Sequence, residues 1–187
     1  MIILEDKAQK EDKHKTKNNY WKKNGIEVIR YPLPVADYVL GTDKVMDVIS
    51  RKEKRGMSVK KMDFLGTYDI AVDSKFSIQE LVSDICGKSH ERFRDELILA
   101  QNNGIKLYIL VENEDGITQL SELHKWVNPR LLICRGGKQL YPNATKGVTL
   151  MKACYTMQKK YGAEFIFCKP SRSGQMIIDL LSGSTNV

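Results

Sequence analysis

Ile105 to Val111, Ile-Lys-Leu-Tyr-Ile-Leu-Val, restricts the fold more than any other stretch of the chain. It is nearly continuous apolar sequence of strand length, so it reads as a strand covered on both faces. Cover on both faces requires helices on both sides of a sheet, and the flanking sequence supplies them. Ser77-Ile78-Gln79-Glu80 has the form of a capping box, in which Ser and Glu side chains bond free amides of the first turn. Ile78, Leu81, Val82 and Ile85 then follow helical spacing, and Gly87 ends the element. A second helix is expected from about Ser89 to Asn103, with Gly104 as its stop. Further helices are expected at about His14–Lys23, 45–49, 120–127 and 148–161, and one around Met176–Leu181. Strands are expected at Ile2–Leu4, Ile26–Arg30, Asp37–Leu40, Ile70 to Lys75 and Glu164–Cys168, with Leu131–Cys134 either strand or buried turn. The alternation implies an α/β architecture: a mixed β-sheet flanked by helices on both faces.

With 187 residues, 42% hydrophobic and 28% charged, the chain is long enough for a proper core. No apolar run approaches bilayer length, which excludes a membrane span. Met1-Ile2-Ile3-Leu4 runs into an acid and is not expected to be a signal peptide. Cys86, Cys134, Cys154 and Cys168 match no zinc spacing and read as buried free thiols of an intracellular protein, cytoplasmic in a prokaryotic or viral setting and nuclear in a eukaryotic one. The net charge is +7. Residues 1–61 carry 15 Lys/Arg against 9 Asp/Glu, and the excess gathers at Lys7–Lys23 and Arg51–Lys61. Clusters of that kind suit either a polyanion or a solvated surface.

The strand that reaches Asp73-Ser74-Lys75 places Asp73 and Lys75 on one face, about 7 Å apart. A carboxylate beside an ammonium suits phosphodiester hydrolysis: the acid holds a hard divalent cation, and the lysine steadies the water or the developing charge. Two other strand ends carry acids, Glu5 and Asp37. In α/β sheets, sites form where neighbouring strand ends open into a crevice, so Glu5, Asp37 and Asp73 are expected to converge around a cation, with Lys75 beside them. Glu80 has a structural reading as the partner in its capping box.

The order Ile3-Leu4-Glu5-Asp6-Lys7-Ala8-Gln9, Leu33-Pro34-Val35-Ala36-Asp37-Tyr38 and Val72-Asp73-Ser74-Lys75 resembles the nuclease domain of the XPF-type structure-specific endonucleases, within the PD-(D/E)XK superfamily. Phe93–Leu97 and Leu107–Glu112 are similar to the helix and strand that follow the catalytic lysine in that family, so the resemblance covers about residues 1–112. It implies a restriction-endonuclease-like fold and a metal-dependent DNA endonuclease that uses Mg²⁺, with Mn²⁺ as substitute. It also implies that Glu5, Asp37 and Asp73 are metal ligands, joined by the Ser74 carbonyl, and that Lys75 is the assisting group. The chain departs from the pattern at Glu5 in place of Asp, Ala8 in place of an acid, Ala36 in place of Gly and Asp73 in place of Glu. The family's later Asp falls on Gln79 in strict register and on Glu80 with one inserted residue.

Residues 1–128 are expected to form the nuclease core, with a basic insert at 43–62. Residues 129–187 are expected to be a C-terminal α/β extension packed on the same domain. Arg51, Lys52, Lys54, Arg55, Lys60 and Lys61 are expected to hang as a loop beside the acidic crevice and to take phosphates. Arg92 and Arg94 either grip flanking phosphates or pair with acids on their own helix. Tyr20 and Trp21 either stack on bases or pack in the core. Two other readings stand beside the nuclease: a non-catalytic DNA-binding or scaffold module, and an RNA-directed enzyme. Homodimerisation, common in the family, is a further expectation, with the helices at 148–161 and 173–182 supplying either an interface or the rest of the core.

Overall fold

The computed structural model describes residues 1–10 and 15–184, so the expected start of the first helix at His14 lies outside the described residues. β1 (Ile2–Asp6), α1 (Lys15–Lys23), β2 (Glu27–Tyr31), β3 (Tyr38–Leu40) and α2 (Asp43–Lys54) lead to β4 (Ile70–Lys75). Then come α3 (Ile78–Cys86), α4 (His90–Asn102) and β5 (Lys106–Glu112). A small hairpin of β6 (Cys134–Arg135) and β7 (Lys138–Gln139) precedes α5 (Gly147–Tyr161), β8 (Glu164–Cys168) and α6 (Ser173–Leu181).

Six strands form the main sheet in the order β2-β1-β3-β4-β5-β8. β4, β5 and β8 are mutually parallel and β1 is parallel to β2, while β3 runs antiparallel between β1 and β4. The sheet is therefore mixed, with helices on both faces. Every residue of β5 except Lys106 is buried, as its apolar run requires. Its alternate residues feed two cores. Leu107, Ile109 and Val111 pack with Leu81, Phe93, Leu97 and Leu150 of α3, α4 and α5. Tyr108 and Leu110 pack with Trp21 of α1 and with Ile177 and Leu180 of α6.

Local expectations are corrected at several points: the helix expected at 120–127 is a 3₁₀ segment over Leu120–Lys125, and of the four cysteines only Cys154 and Cys168 are buried, Cys86 and Cys134 being exposed. The capping box at α3 is offset: Ser77 Oγ accepts from the Glu80 amide (3.2 Å), but the Glu80 carboxylate accepts from Phe76 N–H (2.9 Å) instead of Ser77. α2 does not stop near Ile49 but continues to Lys54, with Arg51 paired to Asp47 at 2.9 Å. Arg51, Lys52 and Lys54 are thus helix surface, whereas Arg55 and Lys60 lie in the connection that follows and Lys61 opens a 3₁₀ turn. Leu131–Cys134 is not a buried turn and adds no strand to the main sheet; Cys134 alone is strand, in the small β6–β7 ribbon. A 3₁₀ turn at Pro129–Leu132 leads into the exposed β6–β7 hairpin, and Leu132 is 71% exposed.

α5 starts against the 3₁₀ segment Leu120–Lys125. A Cβ on Gly147 would sit 2.2 Å from the Leu123 carbonyl oxygen and 2.4 Å from that of Trp126. Both are backbone atoms and cannot step aside as a side chain would. Gly147→Ala is therefore expected to destabilise the protein by about 3 kcal/mol through overpacking, read as a fall of roughly 6–12 °C in a thermal melt.

Candidate active site

Strand pairing fixes which side chains share a face, because directly paired residues point the same way. Leu4 pairs with Val39, and Val39 with Ala71, forming one row across three strands. Glu5 pairs with Tyr38, and Tyr38 with Val72, forming the next row on the opposite face. One step further, back on the first face, lie Asp6, Asp37 and Asp73. Backbone bonds hold this last row together: Asp6 N–H donates to Asp37 O (2.8 Å) and Asp37 N–H to Val72 O (3.1 Å). Neighbouring members of such a row stand about 5 Å apart at Cβ. Three aspartates thus line up at the end of three adjacent strands.

They open into a cleft of about 470 Å³ that is lined by Asp6, Asp37, Asp73, Glu80, Asp95 and Glu96 against Lys61, Lys75 and Arg92. Lys75, at the end of β4, is buried between two carboxylates. Its Nζ lies 2.7 Å from Asp73 Oδ2 and 2.8 Å from Asp84 Oδ2 of α3, above the Phe93 ring. Burial alone lowers the pKa of this ammonium, but Asp73, Asp84 and Asp37 together raise it above its ordinary value. Lys75 therefore stays charged throughout the neutral range and is a cation and donor, not a base.

Asp37 is held at both oxygens, with Ser74 N–H on Oδ2 (2.9 Å) and the Gln9 side-chain amide on Oδ1. Burial, with Asp73 adding repulsion, raises its pKa well above the carboxylate range. Glu96 of α4 accepts from Ala36 N–H (2.7 Å), and burial followed by Asp73 pushes its carboxyl up to about 7. Ala36 has φ +64°, the left-handed conformation that the resemblance assigns to glycine, and it is alone among the described non-glycine residues in that region. On the far face, Lys17 Nζ donates to Ser74 Oγ (2.7 Å) and lies 2.5 Å from Glu112 Oε1, so β4 is pinned from behind.

The expected site residues fall into groups. Asp37, Asp73, Ser74 and Lys75 come together, with Ser74 presenting its amide to the cleft side. Glu5 does not join them. It faces α1, paired with Arg30 (3.3 Å) and within 3.5 Å of the Tyr38 hydroxyl, and its cleft position belongs to Asp6. Glu80 lines the cleft while capping α3, whereas Gln79 turns away and donates to Asn128 Oδ1 (3.1 Å). Of the six basic residues of the insert, Lys61 alone lines the cleft; Arg51, Lys52, Lys54, Arg55 and Lys60 do not, and Lys52 is paired with Asp63. Arg92 lines it and approaches Asp84 (3.8 Å), while Arg94 pairs with its neighbour Asp95 (2.9 Å). Trp21 is fully buried, with its indole N–H on Gly174 O (2.9 Å), so it is core. Sequence reasoning missed Asp6, Asp84 and Glu96. Helical spacing from Ile85 and Leu97 carried no signal for the two helix acids.

The donor set fits a hard cation. It is all oxygen, with six carboxylates against three cations, and Mg²⁺ needs only one or two carboxylates beside water and phosphate. Among the described residues, no three Asp, Glu, His or Cys side chains are already gathered around one point, which is consistent with Lys75 occupying Asp73 Oδ2.

A family model, the ERCC4 domain, matches residues 7–180. No curated protein sequence matches the chain. Among solved structures, XPF from Aeropyrum pernix aligns with a TM-score of 0.55 at 15% identity, covering 100% of this chain and 66% of that chain. XPF from Aeropyrum pernix in complex with DNA aligns with a TM-score of 0.55 at 16% identity, covering 98% and 64%. The chain thus spans just under two thirds of the length of these proteins, and the likeness is one of fold. The resemblance read from residues 1–112 holds and extends through the C-terminal third.

Glu96 has a folded pKa of about 7 against an ordinary 4.5. The fold therefore favours its protonated form, and that stabilisation is complete below pH about 4.5 and gone once the pH passes about 7. Asp37 acts in the same direction. In chelator, the melting temperature should fall between pH 5 and pH 8. Glu96→Gln should remove on the order of 2 kcal/mol of that decline, measured by melts across the range.

Proposed function

The chain belongs to the ERCC4 domain family, and from that premise we propose that it is a metal-dependent DNA endonuclease that hydrolyses phosphodiester bonds at the aspartate row. The observation that carries this reading is the meeting of Asp6, Asp37 and Asp73 with a buried, permanently charged Lys75 in one acidic cleft. DNA as substrate is supported by the XPF relative, whose structure is in complex with DNA. The basic character of the chain agrees with that partner.

Asp37 and Asp73 would hold Mg²⁺, with Asp6 and the Ser74 carbonyl at the same edge. A hard cation held by these carboxylates would supply polarisation of the phosphate and a lowered pKa of bound water. Gln9 and the Ser74 amide fix the Asp37 oxygens, so the row is oriented before substrate arrives. Lys75, unable to lose its proton near neutral pH, stabilises charge that grows on the phosphoryl oxygens. Asp84 keeps the ammonium in place from the helix side. Glu96, a half-buried cleft residue titrating near neutrality, is suited to take the proton of the attacking water.

A non-catalytic scaffold is the competing reading. Its supporting observation is that Lys75 already neutralises Asp73 and Asp84, so the site balances part of its own charge.

Isosteric variants separate these readings without leaving Lys75 unpaired. Asp37→Asn and Asp73→Asn should lower Mg²⁺- or Mn²⁺-dependent cleavage of duplex, flap and fork DNA by 100-fold or more (about 3 kcal/mol of barrier) while the fold is retained by circular dichroism. Asp6→Asn should impair cleavage, and Glu5→Gln should leave it within a few-fold of wild type. Wild-type cleavage by Asp73→Asn would refute the nuclease assignment. Loss with Glu5→Gln but not Asp6→Asn would overturn the row.

A further inference from the structure

Between Glu122 and Glu164 the chain has no acidic residue, and those 41 positions hold eight lysines and arginines. The acids of residues 62–122 balance this charge over the C-terminal two thirds as a whole, but not within the segment itself. Its most exposed part is the segment 127–146, which contains the β6–β7 hairpin. Val127, Leu132, Ile133, Leu140 and Tyr141 are all exposed there. Single exposed apolar residues on a surface are ordinary, but five within twenty positions of one cationic arm are a concentration that a partner would cover.

The arm is built, not loose. Gly136 and Gly137 both have positive φ (56° and 75°), which closes a two-residue hairpin loop of the kind matched to strand twist. Leu140 N–H donates to Ile133 O (2.9 Å), extending the ribbon beyond the two strands. Asn128 anchors it: its Oδ1 accepts from Arg130 N–H (3.0 Å) and from Gln79 Nε2 (3.1 Å), and its Nδ2 donates to Thr145 O (2.9 Å). One buried asparagine thus ties both legs of the arm to the first turn of α3. That turn also carries Glu80, which lines the cleft, so the arm is seated on the same end of α3 but on the side turned away from the cleft.

The tip carries an unresolved conflict. Arg135 and Lys138 are directly paired across the ribbon, and like charges placed opposite each other destabilise a hairpin. No acid lies within the arm to offset them. A polyanion across the tip would remove the conflict. Beside the charges, Tyr141 carries Arg130 at 5.9 Å from its ring centre. Tyr141 and Leu132 offer flat and apolar surface that a duplex, with its bases stacked inside, could not use. Unstacked bases could use it.

Resting on the nuclease reading, we infer that residues 127–146 are a second nucleic-acid contact that grips a single-stranded segment beside the cleft. Arg130, Arg135, Lys138 and Lys146 take its phosphates, and Tyr141 and Leu132 take its bases.

The test is fluorescence anisotropy in chelator, with the full chain and labelled single-strand, duplex and forked DNA, across a salt series. Arg135→Ala with Lys138→Ala should weaken single-strand binding about tenfold and reduce the slope of log affinity against log salt by about 1.4, the loss of two phosphate contacts. Tyr141→Ala should weaken single-strand and fork binding while leaving duplex binding unchanged. Both variants should melt like wild type, since the arm lies outside both cores. Unchanged affinity and salt slope in variants of a DNA-binding wild type would overturn the arm alone. A wild type that binds no DNA of any form would overturn the functional reading beneath it. Arm variants that turn a dimer into a monomer in sedimentation would assign the patch to a second copy of the chain, which also overturns the inference.

Discussion

Lys75 shared between Asp73 and Asp84 is the interaction around which the cleft is arranged. An ammonium removed from water gains little unless it is paired and its neighbours are satisfied, and here two carboxylates lie within 2.8 Å of it. Asp73 can be buried because Lys75 is there, and Lys75 can be buried because Asp73 and Asp84 are. Removing the lysine would leave both aspartates uncompensated, at a cost of several kcal/mol. The pair is therefore part of the fold as well as of the proposed chemistry. What it does not balance is Asp37 and Glu96, whose raised pKa values record the surplus of negative charge.

Topology supplies that surplus. A short β3 running against both β1 and β4 brings three strand ends to one edge, so residues distant in sequence stand in a single row. The opposite face is organised differently. There Glu5, Arg30, Tyr38, Lys17 and Glu112 form ion pairs and hydrogen bonds around the back of β4. That face braces Ser74, and through it the strand that carries Asp73 and Lys75. The 470 Å³ cleft is acidic where a divalent cation would be held, and positive charge lies at its rim on Lys61 and Arg92 and beyond it on the 127–146 arm.

Much of this was legible in the sequence. The double-sided burial of β5 followed from its unbroken apolar run, and β4, α3 and their junction followed from strand alternation and a Ser/Glu cap. Asp37, Asp73 and Lys75 were identifiable because each stands at the end of a readable element. The choice between Glu5 and Asp6 was not, since Ile2, Ile3 and Leu4 are all apolar and give no alternation to show which face is which. Only the pairing of β1 with β3 decides it. Asp84 and Glu96 act through contacts between helices and strands that no local pattern encodes. The basic insert was misread for another reason. Its charges look like a loop because they end in Gly56, yet Arg51 to Lys54 extend the helix begun at Asp43.

The claim that a divalent cation completes the aspartate row is tested most directly by calorimetric titration of Mn²⁺ into the wild-type chain and Asp37→Asn at pH 5.5 and pH 7.5. Wild type should bind the ion, more tightly at the higher pH because Asp37 and Glu96 must first give up protons, and Asp37→Asn should bind it weakly at both. A wild type that takes up no ion at either pH, or binding that Asp37→Asn leaves unchanged, would contradict the account.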